Sequence, residues 1–343
     1  MNTLPSTEIA VHIRGVGAYL PERVMRNDEL ASMVDTTDEW IRTRTGIEQR
    51  HLVAVGQLTA DLAAEAARQA LDDAGLTVAD IDALVLATTT PDMIFPSTAS
   101  MVQAKLGGKG FPAWDIQAVC SGFVYGLAQV EGMMRAGMFR RVLLIGAESM
   151  SRIVDWSDRN TCVLFGDGAG AVVLEAGEND GCGLMRSVLH CDGSYRELLM
   201  AEHAVRGHPP RADRLSVMDM DAAGVSAIQM RGNEVFRVAV TKLGEVVHEV
   251  MIANEVQEGD IDWLVPHQAN IRILQATAKK LNLSQERMVV TVGRHANTSA
   301  ASVPLALHDL YQSGKLKRGQ LLLLEAFAGG FAWGANMLRW SRD

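Results

Sequence analysis

Apolar residues along the chain follow two alternating patterns, one with helical spacing and one of short buried runs. The stretch "LTADLAAEAARQALDDAG" predicts a helix with Thr59 as its N-cap and Gly75 as its end. The run "IDALVLATT" that follows it predicts a buried strand. The second half repeats this order, because "NEVFRVAVTKLGEVVHEVMIANE" predicts a helix and "IDWLVP" a strand. Such alternation indicates an α/β fold.

The two halves of the chain also share short sequence words. "DIDALV" begins at Asp80 and "DIDWLV" at Asp260, and "RRVLLIGAE" in the first half parallels "RGQLLLLEA" in the second. Cys120 follows Asp80 at nearly the separation at which Asn297 follows Asp260. Coincidence among common strand words is the simpler alternative, but a duplicated α/β unit also explains their order. We therefore predict two similar halves, residues 1–185 and 186–343, with the active site at strand ends near their interface.

Composition narrows the class of protein. The chain has 343 residues, of which 48% are hydrophobic, and a formal net charge of −9. This acidic balance argues against a nucleic-acid partner. Apolar runs are all shorter than the roughly 20 residues of a membrane span, and the first residues do not resemble a signal peptide, so we expect a cytoplasmic protein. Its cysteines have no C-x-x-C spacing and are predicted to be free thiols, namely Cys120, Cys162, Cys182 and Cys191.

Cys120 stands where a buried strand turns into a helix, in "AWDIQAVCSGFVYGL". A helix that starts at Ser121 directs unpaired backbone N–H groups toward the sulfur, which favours the nucleophilic thiolate. A sharp strand-to-helix turn also lifts the side chain out of the sheet. The alternative is a small buried cysteine that fills the core, which is our interpretation of the other three cysteines.

Two further strand exits carry chemistry. His267 follows the strand in "WLVPHQANIRI", and Asn270 opens the next helix. Asn297 follows a strand predicted to end near Val292 and precedes a helix that begins within "TSAAS". Taken singly, these residues fit a loop histidine and an N-cap. Together with Cys120 they predict a nucleophilic site with three polar groups at three strand ends.

Glycine-rich words complete the candidate site. Gly329 and Gly330 follow a buried strand in "EAFAGGFAWGA", and their unobstructed N–H groups suit an oxyanion hole, although a hairpin turn also explains them. The word "FGDGAGAVVLE" lacks G-K-[ST] and is read as a turn into a strand rather than a P-loop. His203 and His208 lack neighbouring ligands at suitable spacing, so no metal site is expected. His295 is interpreted as structural.

A series of words in a fixed order resembles the β-ketoacyl-acyl-carrier-protein synthase III family, which initiates type II fatty acid synthesis. They are "DTTDEWIRTRTGI", "FPSTA", "AVCSGF", "FGDGAGA", "HCDGSY", "GNEVF", "VPHQANIRI", "RHANTSAASVPLAL" and "EAFAGGFAWG". The resemblance covers nearly the whole chain. It implies a thiolase-like fold with duplicated α/β halves in a layered α-β-α-β-α arrangement, and a homodimer.

The resemblance also implies a role for each candidate residue. Cys120 becomes acylated, His267 and Asn297 complete the triad, and Gly329 shares the oxyanion hole with the Cys120 N–H. Coenzyme A is expected against Thr36, Trp40, Arg44, Arg159 and Asn270. The acyl pocket is expected at Phe95, Phe165 and Phe236, with Phe95 crossing a dimer interface. The acyl carrier protein is expected to dock on Arg237, Gln268, Arg272, Lys279 and Lys280. The implied substrates are an acyl-CoA, most simply acetyl-CoA, and malonyl-acyl carrier protein, with no metal or redox cofactor.

Departures from the family pattern leave alternatives open. Ala328 stands where many members have glycine, and residues 196–228 form a longer and poorly matched segment that leaves primer choice open. A sister condensing enzyme that uses longer primers or makes another product is therefore the main alternative. A papain-like protease is not favoured, because the motif C-G-[SA]-C-[WY] expected in that family is absent from this sequence. A non-enzymatic acyl-binding protein would not need the set of Cys120, His267 and Asn297.

Overall fold

The structure is a computed structural model that describes residues 9–201 and 227–343. Its strands are β1 (Ile9–Tyr19), β2 (Arg23–Arg26), β3 (Gln49–Leu52), β4 (Ala83–Ala87), β5 (Ala113–Ile116), β6 (Arg141–Ser149), β7 (Asp167–Glu178), β8 (Gly183–Cys191), β9 (Leu199–Met200), β10 (Gln229–Met230), β11 (Trp263–Pro266), β12 (Leu321–Ala328) and β13 (Ala332–Arg339). Its helices are α1 (Asn27–Ala31), α2 (Asp38–Thr45), α3 (Thr59–Ala74), α4 (Thr98–Lys105), α5 (Gly122–Arg135), α6 (Arg159–Cys162), α7 (Gly232–Ala253), α8 (Ile271–Lys280), α9 (Val292–His295) and α10 (Ser302–Gln312).

The two main sheets repeat one topology. The first sheet has the order β1-β7-β6-β4-β5 and the second β11-β12-β13-β8. In the first, β4 runs parallel to β6, and β6, β7 and β1 follow as antiparallel neighbours. In the second, β11 runs parallel to β12, and β12, β13 and β8 follow as antiparallel neighbours. The predicted duplication is therefore confirmed, and its boundary at 185/186 falls within β8.

The repeated sequence words form the same local structure in each half. The backbone N–H of Asp82 donates to the carbonyl of Arg141 at 2.9 Å, and that of Asp262 donates to the carbonyl of Leu321 at 2.9 Å. Each carboxylate accepts the N–H of the same partner at 2.8 Å. Each aspartate thus joins the start of one strand to the start of its parallel neighbour.

Helices cover and separate the sheets to give five layers. Helices α5 and α10 pack between the sheets, α3 lies on the outer face of the first sheet, and α7 lies on the outer face of the second. The alanine-rich face of α3 allows a close approach to β1. A Cβ at Gly17 would lie 2.2 Å from the carbonyl oxygen of Ala66, so only glycine fits there. The predicted α-β-α-β-α arrangement is confirmed.

Some local predictions need correction. The helix predicted from Thr59 ends at Gly75 in the left-handed conformation as expected, but its N-cap is Leu58. The N–H groups of Thr59 and Ala60 are instead capped by the carboxylate of Asp92, a residue distant in sequence. The strand predicted to end near Val292 is wrong, because that residue begins the short helix α9.

Candidate active site

Cys120 lies in a 3₁₀ turn, Val119–Ser121, that joins β5 to α5. The α-helix begins at Gly122, one residue later than predicted. Val119 has a φ of 48°, a strained value for a β-branched residue, and the Ser121 hydroxyl donates to the Ala332 carbonyl at 3.0 Å. Tight packing therefore holds the cysteine, which is only 5% exposed, at the entrance of the helix.

The surroundings of the Cys120 thiol oppose its ionisation. The pKa of the Cys120 thiol is raised to about 12, chiefly by burial; a hydrogen bond with Ser299 opposes this rise and the charge of Glu148 adds to it. Desolvation of the charged sulfur therefore opposes the preference for the thiolate that a helix start predicts. A nucleophilic role for this sulfur would require a group that accepts its proton.

His267 follows β11 and is held by two neighbouring elements. Its backbone N–H donates to the Glu325 carbonyl on β12 at 2.8 Å, and its Nδ1 lies 2.6 Å from Oγ of Ser302 at the start of α10. Burial lowers the pKa of His267 to about 3, so the imidazole is neutral near pH 7. Ser302 Oγ also accepts the Gln268 N–H at 3.4 Å. This arrangement favours donation by Ser302 to Nδ1, which leaves the imidazole hydrogen on Nε2.

Asn297 lies between α9 and a second 3₁₀ turn, Ser299–Ala301, that precedes α10. Its backbone pairs with the first half of the chain, because its N–H donates to the Leu164 carbonyl at 2.9 Å and its carbonyl accepts from Gly166 at 3.0 Å. Its Oδ1 accepts the Ser299 N–H at 2.9 Å. Since the acceptor of the amide is occupied, the Nδ2 donor is the group that remains for a ligand.

One cavity of about 760 Å³ brings these residues together. Its wall includes Cys120, His267 and Asn297 together with the predicted pocket residues Phe165 and Phe236. From the predicted coenzyme A set, the wall includes Trp40, Arg44 and Asn270. Gly329 follows β12 directly, next to Ala328, which packs against Cys120. Phe95 does not line this cavity and is 83% exposed on the loop between β4 and α4.

The mouth of the cavity carries an aromatic ring beside two cations. The guanidinium of Arg44 lies 4.7 Å from the centroid of the Trp40 ring, and that of Arg159 lies 5.2 Å from it. Thr36 has a buried hydroxyl without a hydrogen-bond partner. Asn270 caps α8, since its Oδ1 accepts the N–H of Arg272, and its Nδ2 donates to the Arg44 carbonyl. The protein backbone thus already uses both ends of the Asn270 amide.

The predicted carrier-docking residues divide into exposed and buried groups. Four basic residues are exposed on α7 and α8, namely Arg237, Arg272, Lys279 and Lys280. Gln268 is fully buried, and its placement on the docking surface is wrong. Its Nε2 donates to the carbonyls of Pro266 and Val289. Its Oε1 accepts the backbone N–H groups of Thr291 and Val292. Gln268 therefore supports the loop of His267 from behind.

Sequence analysis missed four buried polar residues around the site, Glu148, Ser299, Ser302 and Glu325. Glu325 lines the cavity, is 1% exposed and has an Oε2 without a hydrogen-bond partner. Burial raises the pKa of Glu325 to about 8. The available signal was an acidic residue inside an apolar strand, as in "LLIGAES" for Glu148 and "LLLLEAF" for Glu325.

The described ranges contain neither a metal-ligand cluster nor a membrane-spanning helix. Within residues 9–201 and 227–343, no cluster of three or more His, Cys, Asp and Glu side chains is arranged to hold a metal ion. In the same ranges, no helix has both the length and the apolar character needed to cross a membrane. His203 and His208 lie outside the described residues, as does most of the poorly matched segment 196–228.

Known proteins share this fold and sequence. Residues 114–193 match the family model "3-Oxoacyl-[acyl-carrier-protein (ACP)] synthase III", and residues 251–340 match the model of its C-terminal part. The beta-ketoacyl-[acyl-carrier-protein] synthase III of Xylella fastidiosa (strain 9a5c) is 53% identical over 98% of this chain and 100% of its own length. The crystal structure of 3-oxoacyl-[acyl-carrier-protein] synthase III from Aquifex aeolicus VF5 has a TM-score of 0.88 and 43% identity, covering 96% of this chain and 100% of that one.

A related condensing enzyme is also similar. The priming β-ketosynthase of the R1128 polyketide pathway has a TM-score of 0.89 and 31% identity over 98% of this chain and 97% of its own. These matches define the class as condensing enzymes of the thiolase fold. Within that class, the chain belongs to the 3-oxoacyl-[acyl-carrier-protein] synthase III family.

Proposed function

We propose that the chain catalyses the initiating condensation of type II fatty acid synthesis. An acyl-CoA primer acylates Cys120, and the acyl group is then joined to malonyl-acyl carrier protein with loss of carbon dioxide. The observation that carries this proposal is the shared cavity of Cys120, His267 and Asn297, in which a thiol faces two neutral hydrogen-bond donors. Family membership at 53% identity over nearly the full length supports the same reaction.

In the first half-reaction, the Cys120 sulfur attacks the thioester carbon of the primer. The sulfur–carbon bond forms, a tetrahedral oxyanion develops, and coenzyme A leaves as its thiolate. The backbone N–H groups of Cys120 and Gly329 are proposed to donate to that oxyanion, since they belong to the two segments that meet at the sulfur. We propose acetyl-CoA as the primer.

In the second half-reaction, the malonyl thioester loses carbon dioxide and becomes an enolate. Negative charge develops on the thioester oxygen, where His267 Nε2–H and Asn297 Nδ2–H are proposed to donate. Donation by Ser302 to His267 Nδ1 and by the Ser299 N–H to Asn297 Oδ1 leaves Nε2–H and Nδ2–H as the available donors. The enolate carbon then attacks the acyl-cysteine, and a 3-ketoacyl-acyl carrier protein is released.

Substrate recognition is assigned to the mouth of the cavity and the adjoining helices. The adenine of coenzyme A is proposed to stack on Trp40. Arg44 and Arg159, whose guanidinium groups lie beside the Trp40 ring, are proposed to bind the phosphate groups. Thr36 and Asn270 are proposed to border coenzyme A, while Phe165 and Phe236 bound the acyl group. The acidic carrier protein requires a basic face on a chain whose net charge is −9, and we assign it to Arg237, Arg272, Lys279 and Lys280.

An exposed apolar loop supports a homodimer. Met93 is 51% exposed, Ile94 76% and Phe95 83%, which forms a contiguous apolar tip. We propose that this tip packs on a second copy, where Phe95 bounds the acyl pocket of the partner. The free cysteines suit a reducing compartment, and we propose a cytoplasmic location without a metal or redox cofactor.

The decisive experiment is product analysis by mass spectrometry. The purified protein is incubated with malonyl-acyl carrier protein and either acetyl-CoA or a series of longer acyl-CoAs, with Cys120→Ser as the control. We expect acetoacetyl-acyl carrier protein from acetyl-CoA and no product from the control. A strong preference for long primers would instead favour the sister condensing enzymes. Acylation of Cys120 without any condensation product would contradict the proposal and favour an acyl-binding protein.

A further inference from the structure

Glu148 is a fully buried carboxylate at the carboxyl end of β6. Its Oε2 receives hydrogen bonds from the Thr88 hydroxyl at 3.2 Å, the Thr89 N–H at 3.0 Å, the Thr90 N–H at 3.1 Å and the Thr90 hydroxyl at 2.7 Å. Its Oε1 receives the Ser299 hydroxyl at 2.9 Å. Backbone N–H groups only donate, so this environment is built for an ionised acceptor. Neither half-reaction described above uses this group.

Ser299 connects Glu148 to the reacting residues. Its N–H donates to Asn297 Oδ1 and its hydroxyl donates to Glu148, and a hydrogen bond with Ser299 also lowers the pKa of the Cys120 thiol. The two 3₁₀ turns that carry Cys120 and Ser299 pack directly against each other. Ser299 has a φ of 50°, a left-handed conformation that favours glycine, so the fold maintains this serine at a conformational cost.

A hydroxyl has one proton to donate and two lone pairs to accept. While Ser299 donates to Glu148 Oε1, its lone pairs are free for the S–H of Cys120. The three groups then form a continuous chain from thiol to hydroxyl to carboxylate. Such a chain supplies the proton acceptor that a thiol with a raised pKa lacks.

We propose that Ser299 and Glu148 are a proton relay for Cys120. As the sulfur–carbon bond to the acyl group forms, the thiol proton moves to Ser299 Oγ, and the proton of Ser299 moves to Glu148 Oε1. The coenzyme A thiolate leaves and takes a proton from water. When the enolate expels the Cys120 thiolate in the condensation, Glu148 returns the stored proton through Ser299. The inference rests on the proposed acylation of Cys120, and Glu148 is a positioning residue because it reaches the sulfur only through Ser299.

The surroundings of Glu148 suit a reversible proton acceptor. Burial raises the pKa of Glu148 above its ordinary value, although hydrogen bonds from Thr90, Thr89 and Ser299 oppose this rise. Cys120 is the titratable side chain that faces it from the turn before α5. The loop after β4 presents hydroxyl and N–H groups, and β7 presents Gly168 opposite it.

The test is single-turnover acetylation of Cys120 by acetyl-CoA from pH 5 to pH 9, followed by intact-protein mass spectrometry. In the wild type, the rate should fall at low pH as Glu148 becomes protonated. Glu148→Gln should lose this pH dependence and acetylate about 10²–10⁴-fold more slowly, the usual contribution of a positioned proton acceptor. Glu148→Asp, which keeps a carboxylate, should recover part of the rate.

Two further variants separate the relay from a structural role. Ser299→Gly removes the hydroxyl and relieves the strained φ, which offsets part of the stability lost with the hydrogen bond to Glu148, so it should fold yet acetylate slowly. Asp167→Asn is the matched control, because Asp167 is also a buried carboxyl but bonds to Ser151 and Val53. It should keep the wild-type rate and pH profile.

The outcomes distinguish failure of the proposed function from failure of the proton relay. Absence of acetyl label on wild-type Cys120 would contradict the proposed function itself. A labelled wild type together with Ser299→Gly and Glu148→Gln variants of unchanged rate and pH profile would overturn the relay alone. An equal loss of rate in Asp167→Asn would also overturn it, because the effect would then be a general consequence of losing a buried carboxylate.

Discussion

The hydroxyl of Ser302 lies 2.6 Å from Nδ1 of His267. This contact ties the first residue of α10 to the exit of β11 and favours the tautomer with hydrogen on Nε2, because Ser302 can donate to Nδ1. Ser302→Ala should therefore slow condensation by up to about 10²-fold, the scale of a weakened oxyanion donor, and leave Cys120 acetylation nearly unchanged. Rapid-quench assays of the two half-reactions measure this. Ser313→Ala, which removes a capping hydroxyl at the other end of α10, is the control. Equal loss in both half-reactions would refute the tautomer argument.

Asn297→Ala removes a proposed donor to the enolate. Loss of one such donor typically costs about 10²–10³ in rate, and we expect this loss in condensation but not in Cys120 acetylation. Because Asn297 Oδ1 also holds the Ser299 N–H, the melting temperature of the variant should be measured alongside. Equal loss of rate in the acetylation and condensation steps would show that Asn297 does not act specifically on the enolate.

Trp40→Ala tests the proposed adenine platform. We expect coenzyme A binding to weaken by roughly 1–3 kcal/mol, the usual value of base stacking on an aromatic ring. Isothermal titration calorimetry gives the dissociation constant. Trp114→Ala is the control, since Trp114 packs near Phe139 and does not line the cavity. An unchanged dissociation constant for Trp40→Ala would leave this residue with only a packing role.

Arg272→Glu tests carrier docking. Its guanidinium lies 5.7 Å from the Phe236 ring centroid, so the cation stands on the rim of the cavity. Charge reversal should raise the apparent KM for malonyl-acyl carrier protein and leave the acetyl-CoA half-reaction intact. The wild-type rate should fall with salt, because exposed charges are screened over about 10 Å at 0.1 M. Lys317→Glu, an exposed charge reversal away from α7 and α8, is the control. Unchanged carrier kinetics for Arg272→Glu at low salt would place docking elsewhere.

Glu325 and His267 make stability depend on pH in opposite directions. The pKa of Glu325 rises from 4.5 to about 8 on folding, so unfolding releases its proton between these values and stability falls as pH rises from 4.5 to 8. The pKa of His267 falls from 6.5 to about 3, so unfolding takes up a proton and stability falls as pH drops below 6.5.

Glu325→Gln isolates the carboxyl contribution. Urea denaturation at pH 5 and pH 8 should show a smaller loss of stability toward pH 8 in the variant than in the wild type. The difference should be at least about 1 kcal/mol, because one pKa unit corresponds to about 1.36 kcal/mol. The exposed Glu286→Gln is the control. Identical pH profiles for Glu325→Gln and the wild type would contradict the raised pKa.

Local patterns were enough to predict the fold class and the strand ends next to Cys120 and His267, whereas Asn297 follows the short helix α9 rather than a strand. The words that begin at Asp80 and Asp260 form matching strand starts. In each word the second aspartate, Asp82 or Asp262, is hydrogen-bonded to the first residue of the parallel neighbouring strand. Cys120, His267 and Asn297 were predicted from their positions next to turns and helix starts. Such positions can be recognised because a turn or a helix start depends on only a few neighbouring residues. The errors were local as well. The N-cap of α3 was placed at Thr59 instead of Leu58, and a strand was predicted where the short helix α9 begins at Val292.

Burial and distant partners were decided only by the tertiary structure. Gln268 reads as a polar residue beside a site, yet the fold buries it completely behind His267. Cys120 reads as a thiolate at a helix start, yet desolvation raises its pKa to about 12. Glu148 meets Ser299 across 151 residues of sequence. Hydrogen bonding and dielectric environment depend on which distant segments pack together, and no local pattern contains that information.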